Sequence, residues 1–381
     1  MAYFDNAATT YPKPEIVYSF MDEFYRRSGG SAGRGTYEKA QTAKALIDDT
    51  RRRIQTILHC PAKQVIFEPT ATIALNIIIQ GMISKGLKNI YISPFEHNAV
   101  TRTLHHFEEE GRITVSQLSV TKELSYDFDR IRYQFDQLRP DFVIISHVSN
   151  VIGLISPVEE IFALAKKYKA VTLADMSQSA GLVDINVGLE TFDFAVFAGH
   201  KTLMGPTGIS GFVMNPSVQP DPVIFGGTGY DSANQDMPES LPEKYEMGTI
   251  NVDGMGGLNA ALRWIDEQTV EKLFNDEVIQ RKRLIDILSQ YSFIKIIGNV
   301  PGRDYVGIVS CLMDSISSDS AGPVFSERGI SVRTGLQCAP LAHKFLNTYP
   351  AGTIRFSVNS MTGDQDFQEL KEALDDIADE M

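Results

Sequence analysis

The chain has 381 residues, of which 43% are hydrophobic and 22% charged, a composition typical of a soluble globular protein long enough for two domains. Its formal net charge of -13 repels phosphate backbones and anionic lipid, so neither nucleic acid nor a membrane is an expected partner. The first residues, MAYFDNAATTYPKPE, show neither a leader peptide nor an apolar stretch of membrane-spanning length, which predicts a cytoplasmic protein.

From residue 36 onward, helical and strand patterns alternate along the chain. Predicted helices cover residues 36–58, 70–82, 98–110, 127–138 and 157–167. Predicted strands cover residues 64–69, 89–94, 112–120, 141–149, 170–177, 192–199 and 208–215. This alternation predicts an α/β fold whose mainly parallel sheet is covered by helices on both faces. Such sheets bind ligands beyond the carboxyl ends of their strands.

A segment rich in proline and glycine, residues 215–247, interrupts this alternation. It is too long for a plain connection, so we predict a functional loop. One long helical pattern follows over residues 251–291, and shorter strand and helix units end in an acidic helix. We therefore predict two domains. The large α/β domain covers residues 15–249, and a smaller α+β domain combines residues 1–14 and 250–381.

Polar residues stand at the ends of five predicted strands. Lys201 follows an apolar run, where a buried lysine is costly unless its amine has a use. The other strand-end residues are Thr72, His97, Asn150 and Asp175, with Gln178 three positions after the aspartate. Taken alone, each has an ordinary structural role, such as capping a helix or forming a salt bridge. Their convergence on one edge of a sheet instead indicates a functional site.

Common nucleotide, hydrolase and metal motifs do not fit the sequence. The stretch GHKT lacks the glycine that a phosphate-binding P-loop needs before its lysine, and GMGGLN follows a loop rather than a strand. H-E-x-x-H does not occur, and the G-x-S-x-G match GGSAG at residues 29–33 follows no predicted strand, as a nucleophile turn would require. The three cysteines, Cys60, Cys311 and Cys338, form no C-x-x-C pair. We therefore predict neither a metal site nor a disulfide framework.

Pyridoxal phosphate chemistry requires a lysine amine, a phosphate-binding helix start and a buried carboxylate around one cleft. The lysine holds the cofactor's aldehyde as a Schiff base, and the carboxylate keeps the pyridine nitrogen protonated, which makes the ring an electron sink. The sequence thus predicts pyridoxal 5'-phosphate as the cofactor, with Lys201 and Asp175 in these two roles.

Nearly the whole chain resembles the class V aminotransferase family of fold-type I pyridoxal-phosphate enzymes, and within it the cysteine desulfurases. The motifs that carry this resemblance are YFDNAATT, FEPTATIALN, EHNA, SNVIG, ADMSQ, AGHKTLMGPTG, EMGT, VRTGLQCAPLAH and GTIRFS. Each motif is weak alone, but their combination and order are specific. The resemblance implies the fold-type I architecture and a homodimer with its active sites at the subunit interface.

The resemblance also implies roles for individual residues. Lys201 would form the Schiff base, and Asp175 would pair with the pyridinium nitrogen. Further cofactor contacts are implied for Gln178 at the ring hydroxyl, His97 on the ring face, Ala71, Thr72 and His200 at the phosphate, and Thr249 at the phosphate of the neighbouring subunit. The substrate carboxylate contacts are implied for Asn150 and Arg355, and Arg34 is a candidate for a further cross-subunit contact.

The motif RTGLQCAP bears on the reaction type. In the desulfurases a cysteine at this position accepts sulfur, which makes Cys338 the catalytic nucleophile, with Arg333 and His343 close in sequence to favour its thiolate. The implied activity converts L-cysteine to L-alanine and leaves a persulfide on Cys338 for a sulfur-acceptor protein. The sequence departs from the family pattern at several places, among them GLQC, which lacks the histidines that often precede the cysteine, and the loosely matching segment SGGSAGRGTYEKA. Ala198 replaces a common phosphate-binding serine, and residues 68–70 replace a glycine-containing turn.

Two other kinds of function stay open at the level of sequence. In the first, the chain is another class V enzyme, an aminotransferase, a selenocysteine lyase or a C–S lyase, in which Cys338 is not the sulfur acceptor. In the second, it is a non-catalytic sulfur carrier or scaffold that keeps the fold without the cofactor. Turnover of cysteine and the visible absorbance of the purified protein distinguish these alternatives.

Overall fold

The computed structural model describes residues 1–30, 35–230 and 233–380, and we number its helices and strands in chain order. The described helices are α1 (Glu15–Ser28), α2 (Glu38–Ile57), α3 (Ala71–Ser84), α4 (Asn98–Glu109), α5 (Phe128–Gln137), α6 (Val158–Lys167), α7 (Val252–Gln268), α8 (Val270–Leu288), α9 (Ser318–Glu327), α10 (Pro340–Phe345) and α11 (Asp364–Glu380). The described strands are β1 (Ala2–Tyr3), β2 (Gln64–Glu68), β3 (Asn89–Ile92), β4 (Thr114–Gln117), β5 (Phe142–Ser146), β6 (Val171–Asp175), β7 (Phe194–Ala198), β8 (Ser210–Met214), β9 (Ile294–Ile297), β10 (Ile308–Met313), β11 (Ile330–Ser331), β12 (Arg333–Gly335) and β13 (Thr353–Ser357). None of the helices in these ranges is long and apolar enough to cross a membrane.

Seven strands form the central sheet, in the order β2-β8-β7-β6-β5-β3-β4. The pairs that include β8 are antiparallel, and the other four pairs are parallel. Six strands of this sheet therefore run in one direction, and β8 opposes them. The predicted α/β fold with a mainly parallel sheet is confirmed.

Both faces of the central sheet are covered by helices. Along β5, Val143 and Ile145 belong to the core under α2, α5, α6 and α7, whereas Phe142 and Ile144 belong to the core under α3 and α4. Neighbouring residues of a strand point to opposite faces, so a strand buried on both faces needs a continuous apolar run. This requirement explains why the central strands are recognisable in the sequence.

The predicted helices and strands between residues 36 and 215 are all present, with small shifts at their ends. Helix α1 and strand β1 are not among the predictions. The prediction of one long helix over residues 251–291 is wrong. Thr269 has a φ of 67°, which ends α7, and its side chain then caps α8 by accepting a hydrogen bond from the Lys272 N–H. A β-branched residue rarely adopts this left-handed conformation, so the sequence pattern gives no sign of the break.

The other strands form two smaller sheets. Strands β12, β13, β10 and β9 pair antiparallel in that order, and β1 pairs parallel with β11. The start of the chain therefore joins its C-terminal part, where Phe4 packs into a separate core with Phe356 and Leu374. Helix α7, in contrast, packs on α1 and α2 and contributes Met255 and Leu262 to the core of the central sheet. The division into domains at residue 250 stays a prediction.

The long segment between β8 and α7 has no helix or strand in its described part. It is nevertheless anchored to the central sheet. The Tyr245 hydroxyl donates to the carbonyl oxygen of Pro220 at 2.7 Å, and its ring packs edge-on against Phe212. The Glu246 carboxylate pairs with Arg51 at 2.5 Å. These contacts hold the segment against β8 and α2.

Candidate active site

A cavity of about 230 Å³ opens at the carboxyl ends of the parallel strands, where the sequence predicts a ligand site. Strands β5, β6 and β7 end at Ser146, Asp175 and Ala198, and these three residues line it. Eight of the predicted site residues also lie in its wall: Ala71, Thr72, His97, Asn150, Asp175, Gln178, His200 and Lys201. The fold thus brings together residues that are widely separated along the chain.

Lys201 lies in the loop that joins β7 to β8. A side chain at Gly199 would place its Cβ 2.3 Å from a backbone carbonyl oxygen across this loop, so its start requires glycine. The N-terminal segment also holds the loop. The Lys13 amine donates to the His200 carbonyl oxygen at 2.7 Å, and the Thr10 hydroxyl donates to the Lys201 carbonyl oxygen at 2.8 Å. The backbone on which the Lys201 side chain stands is therefore fixed.

The surroundings of the Lys201 amine favour its neutral form. Burial lowers the pKa of this amine, and the carboxylate of Asp175 opposes part of that change. Burial also lowers the pKa of His200 to about 4, and the positive charges of Lys201 and Lys13 add to the effect. A neutral amine is the nucleophilic form that reacts with a carbonyl group. The position of Lys201 and the lowered pKa of its amine therefore suit a reaction with a carbonyl group.

Asp175 is the last residue of β6 and is 6% exposed. Ser177 donates to its Oδ1 twice, from the backbone N–H at 3.0 Å and from the hydroxyl at 2.6 Å. Its Oδ2 has no hydrogen-bond partner in the described part of the chain. Gln178 lies next to it, and its amide donates to the carbonyl oxygen of Ala7 at 2.8 Å. A buried carboxylate with one free oxygen requires a cationic or N–H group opposite it.

His97 caps the N-terminus of α4. Its Nδ1 accepts a hydrogen bond from the Ala99 N–H at 3.0 Å, and burial lowers the pKa of the ring. The ring is therefore neutral, with its proton on Nε2. The preceding Glu96 is fully buried and accepts hydrogen bonds from Ser93 and Ser146, and burial raises its pKa to about 7. This carboxyl group ties the turn before His97 to the end of β5.

The N-terminus of α3 provides donors for an anion. The Thr70 hydroxyl caps the helix by accepting a hydrogen bond from an N–H of the first turn. The N–H groups of Ala71 and Thr72 have no acceptor among the described residues, and the helix dipole makes this end positive. Nδ1 of His200 is buried and also lacks a partner within the described ranges. These groups are suited to a phosphate, although Ala198 contributes no hydroxyl.

Arg355 lies on β13, is 3% exposed and does not itself line the cavity. Its Nη1 donates to the carbonyl oxygen of Asn150 at 2.9 Å, and its Nη2 donates to the Asp5 carboxylate at 2.8 Å. Its Nε is buried and has no partner in the residues that the structure describes. Since a guanidinium group carries five N–H donors, Arg355 keeps donors for a second carboxylate.

Cys338 lies in the loop before α10 and is exposed, whereas the other two cysteines are buried. It does not line the cavity. Its carbonyl oxygen accepts a hydrogen bond from the Asn98 N–H at 2.7 Å, and that of Gln337 accepts one from the Asn150 side chain at 2.6 Å. Asn98 follows His97, and Asn150 is part of the cavity wall. The Cys338 loop is therefore fastened beside the cavity.

Of the two residues expected to favour a thiolate at Cys338, only Arg333 is a cation. His343 is fully buried, and its ring nitrogens bond to Gln337 at 2.8 Å and to Thr348 at 2.7 Å. Burial lowers the pKa of His343 to about 4, so the ring is neutral and supports the loop. Arg333 is exposed, and its guanidinium lies 3.7 Å from the Asp5 carboxylate.

Two predicted contacts lie elsewhere. Thr249 is exposed and does not line the cavity, and its contact with the phosphate of a neighbouring subunit stays a prediction. Arg34 lies outside the described residues. Sequence reasoning missed the supporting residues Asp5, Thr10 and Ser177. The motifs YFDNAATT and ADMSQ contain all three, so the signal was present, but neither motif says which side chain each residue contacts.

A lysine with a lowered pKa, a buried carboxylate with one unbonded oxygen and a helix N-terminus with free N–H groups match the requirements of a pyridoxal-phosphate type of site. Comparison with known proteins agrees, because the model of the family described as "Aminotransferase class-V" matches residues 2–370. The chain belongs to the class V aminotransferase family.

Relatives and solved structures match along nearly the whole chain. A protein of Methanothermobacter thermautotrophicus named "Probable cysteine desulfurase" is 27% identical over 382 residues, which is 99% of this chain and 94% of that protein. One of Pyrococcus abyssi with the same name is 29% identical over 364 residues, covering 93% and 88%. The apo structure of a cysteine desulfurase from Thermococcus onnurineus NA1 matches with a TM-score of 0.88 and 26% identity, covering 100% and 95%. The expected fold-type I architecture is confirmed.

Class V aminotransferases depend on pyridoxal phosphate, and the residues of this chain fit that cofactor. The unpartnered Nδ1 of His200 and the free N–H groups of α3 suit the phosphate. Oδ2 of Asp175 suits the pyridinium N–H, and the Lys201 amine suits the aldehyde. No group of three or more His, Cys, Asp or Glu side chains able to hold a metal occurs among the residues described.

Proposed function

We propose that this chain is a pyridoxal-phosphate-dependent cysteine desulfurase, which converts L-cysteine to L-alanine and takes up the sulfur on Cys338. The observation that carries the proposal is the position of Cys338. It is the exposed cysteine, and its loop is bonded to Asn150 in the cavity wall and to Asn98 beside His97. The names of the matched relatives support the same chemistry.

The bound cofactor supplies an electron sink for the α-carbon of an amino acid. The chain supplies the groups that hold it. Lys201 would anchor the aldehyde, and Oδ2 of Asp175 would keep the proton on the ring nitrogen. Gln178 would contact the ring hydroxyl, His97 would contact the ring, and Ala71, Thr72 and His200 would hold the phosphate.

The substrate carboxylate binds at Arg355 and Asn150. The buried Nε of Arg355 and its remaining N–H groups present donors on a planar fork, which suits a two-pronged contact with a carboxylate. Asp5 already accepts one hydrogen bond from this guanidinium and so fixes its orientation. Asp5 also balances the positive charge when no substrate is bound.

Lys201 Nζ removes the α-proton of the substrate. A general base must be unprotonated at the working pH, and burial lowers the pKa of this amine in that direction. The bonds from Lys13 and Thr10 to the backbone of the lysine loop hold the amine in place.

The Cys338 thiolate then attacks the sulfur of the substrate. A bond forms between Sγ and that sulfur, and the bond from the sulfur to the substrate β-carbon breaks. The electron pair stays with the carbon, which takes a proton from solvent and becomes the methyl group of alanine, and Lys201 Nζ returns the proton to the α-carbon. The carbon is reduced and the sulfur is oxidised to the level of a persulfide, so the step needs no external oxidant or reductant.

The proposal also covers the oligomeric state, the cellular location, the sulfur acceptor and the domains. Thr249 is exposed and outside the cavity of its own chain, which supports a homodimer in which it reaches the site of the neighbouring subunit. The acidic net charge of -13 supports a cytoplasmic location. A persulfide on an exposed loop supports delivery to a sulfur-acceptor protein. The large and small domains correspond to residues 15–249 and to residues 1–14 with 250–381.

The reaction is tested with the protein reconstituted with pyridoxal phosphate and given L-cysteine and a reducing thiol. Sulfide and alanine should form in equal amounts, because each sulfur that leaves the substrate releases one alanine. Parallel incubations use selenocysteine and pairs of an amino acid with a keto acid. Amino-group transfer without sulfide would overturn the proposal in favour of an aminotransferase, and selenide without sulfide would favour a selenocysteine lyase.

Replacing Asp175 with asparagine should lower the rate of alanine formation by roughly 10²–10³-fold, the range for losing one electrostatic stabiliser in an active site. A neutral amide no longer favours the proton on the ring nitrogen, whereas the shape of the side chain is kept. Alanine is measured under saturating cofactor. Asp129→Asn, an exposed position on α5, is the matched control and should keep the wild-type rate. If Asp175→Asn formed alanine as fast as the control, Asp175 would not be the partner of the ring nitrogen.

A further inference from the structure

A second and larger cavity, of about 800 Å³, lies beside the Cys338 loop. We call it the α4 groove. Its walls are α4, β4 and the segment over residues 333–344, and Cys338 is among the residues that line it. Cys338 therefore belongs to the wall of this groove and not to the wall of the cofactor cavity. The mechanism above leaves the groove without a role.

The charges that line the α4 groove are mostly positive, in contrast to the net charge of -13 for the chain. Among the described residues, Arg102, Arg333 and Lys344 line it, and Glu108 is the carboxylate in its wall. Oε1 of Glu108 is already engaged, because it accepts a hydrogen bond from the Val115 N–H at 3.0 Å. A cationic groove on an acidic protein concentrates anions from solution.

Two of these cations are not neutralised within the described ranges. Arg102 on α4 and Lys344 on α10 are exposed and form no ion pair there, although Lys344 lies 5.3 Å from the ring centre of Tyr349. In contrast, Lys272 and Lys282 on α8 each pair with an aspartate four residues further along the helix. Positive charge in the α4 groove is therefore available to a ligand.

The Cys338 loop is fixed at the boundary between the two cavities. Gln337 and Cys338 have φ values of 40° and 57°, two successive left-handed residues, and such backbone persists only where surrounding contacts hold it. The hydrogen bonds from Asn98 and Asn150 provide those contacts. Cys338 thus lines the α4 groove, while its loop is bonded to Asn150 in the wall of the cofactor cavity.

We propose that the α4 groove binds a low-molecular-weight thiol with two or more carboxylates and uses it as a sulfur acceptor. The inference rests on the proposed function, because it takes a persulfide on Cys338 as the donor. The volume lies within the range of roughly 300–1,000 Å³ usual for small-molecule sites. Arg102 and Lys344 bind the carboxylates and bring the thiol to Cys338.

The transfer is a thiol exchange. The acceptor thiolate attacks the terminal sulfur of the persulfide, and a new sulfur–sulfur bond forms. The bond between that sulfur and Sγ of Cys338 breaks, and its electron pair returns to Sγ as a thiolate. The acceptor leaves as a persulfide, so atoms and electrons balance without a further reactant.

The test uses mercaptosuccinate, which has two carboxylates, and the neutral 2-mercaptoethanol. The cofactor-loaded protein is treated with L-cysteine, freed of small molecules, and its persulfide is measured by alkylation and mass spectrometry. Each thiol is then added at equal thiolate concentration, and the rate of persulfide loss is followed. Wild type should show half-maximal transfer at a lower concentration of mercaptosuccinate, and high salt should remove this preference.

The double variant Arg102→Glu/Lys344→Glu should raise the half-maximal concentration of mercaptosuccinate by about tenfold relative to that of 2-mercaptoethanol, as expected for two reversed surface charges. Lys295→Glu/Lys371→Glu, at exposed positions outside the groove, makes the same change in net charge and should keep the wild-type ratio. Equal ratios in both double variants, or no preference in wild type, would overturn the inference. Failure of wild type to form any persulfide would instead overturn the proposed function.

Discussion

Replacing Lys201 with alanine should lower alanine and sulfide formation by at least about 10³-fold, because the variant loses its general base. Among the residues that the structure describes, those that line the cavity include no second lysine to take over this role. Borohydride treatment of the wild-type protein, followed by peptide mass mapping, should place the reduced cofactor on the peptide that contains Lys201. A small primary amine such as methylamine should restore part of the activity of the variant, because the truncation leaves space for it.

The dependence on pH provides a second measurement of the same amine. Burial lowers the pKa of Lys201 from the ordinary lysine value of 10.5, so the base is neutral over a wider range of pH. Activity should fall as the pH drops through this lowered pKa, since the amine then becomes protonated. If turnover rose only near pH 10.5, the ordinary lysine value, the pKa of the catalytic amine would not be lowered, and a buried Lys201 would not be the base.

Two controls separate catalysis from folding in this experiment. Lys272→Ala removes an exposed lysine on α8, where it pairs with an aspartate, and should keep the wild-type rate. Thermal unfolding of Lys201→Ala should remain cooperative, because this residue belongs to a loop rather than to the core. Full activity of Lys201→Ala, with the cofactor reduced onto another lysine, would remove the basis of the proposed mechanism.

The sequence predicts the central sheet well because of how that sheet is built. Strands such as β5 and β7 are buried on both faces, so they must be short and continuously apolar. Helix α1 is not predicted from the sequence pattern, because Ile16 and Tyr18 are exposed. Its packing against α7 also depends on residues far along the chain. The break between α7 and α8 at Thr269 is not predicted either, because a single left-handed residue does not change the helical periodicity of the sequence.

The candidate site likewise has residues that the sequence predicts and contacts that it does not. Asp175 and Lys201 follow apolar strands, and the carboxyl ends of parallel strands meet at one edge, so their proximity can be inferred from the sequence. The contact between Arg355 and Asp5 joins residues 350 positions apart and depends on the pairing of the chain's start with its C-terminal part. The α4 groove likewise requires the packing of the Cys338 loop against α4, which local sequence patterns do not encode.

Replacing Cys338 with serine should abolish sulfide formation and leave the visible absorbance of the cofactor unchanged. A hydroxyl group forms no persulfide, whereas the cofactor contacts stay intact because Cys338 does not line the cofactor cavity. Sulfide and alanine are measured with L-cysteine, and absorbance is recorded on the same sample. Cys60→Ala, a buried position in the core of the central sheet, is the matched control and should keep turnover.

Locating the persulfide sulfur in the protein tests the role of Cys338 independently of turnover. After incubation with L-cysteine, alkylation of the folded protein should mark a persulfide on the peptide of Cys338, because Cys60 and Cys311 are both buried. The serine variant should carry no such label. If it released sulfide at the wild-type rate, no exposed cysteine within the described residues would remain to accept the sulfur. The reaction would then be a lyase reaction, in which sulfide leaves the substrate directly for solvent.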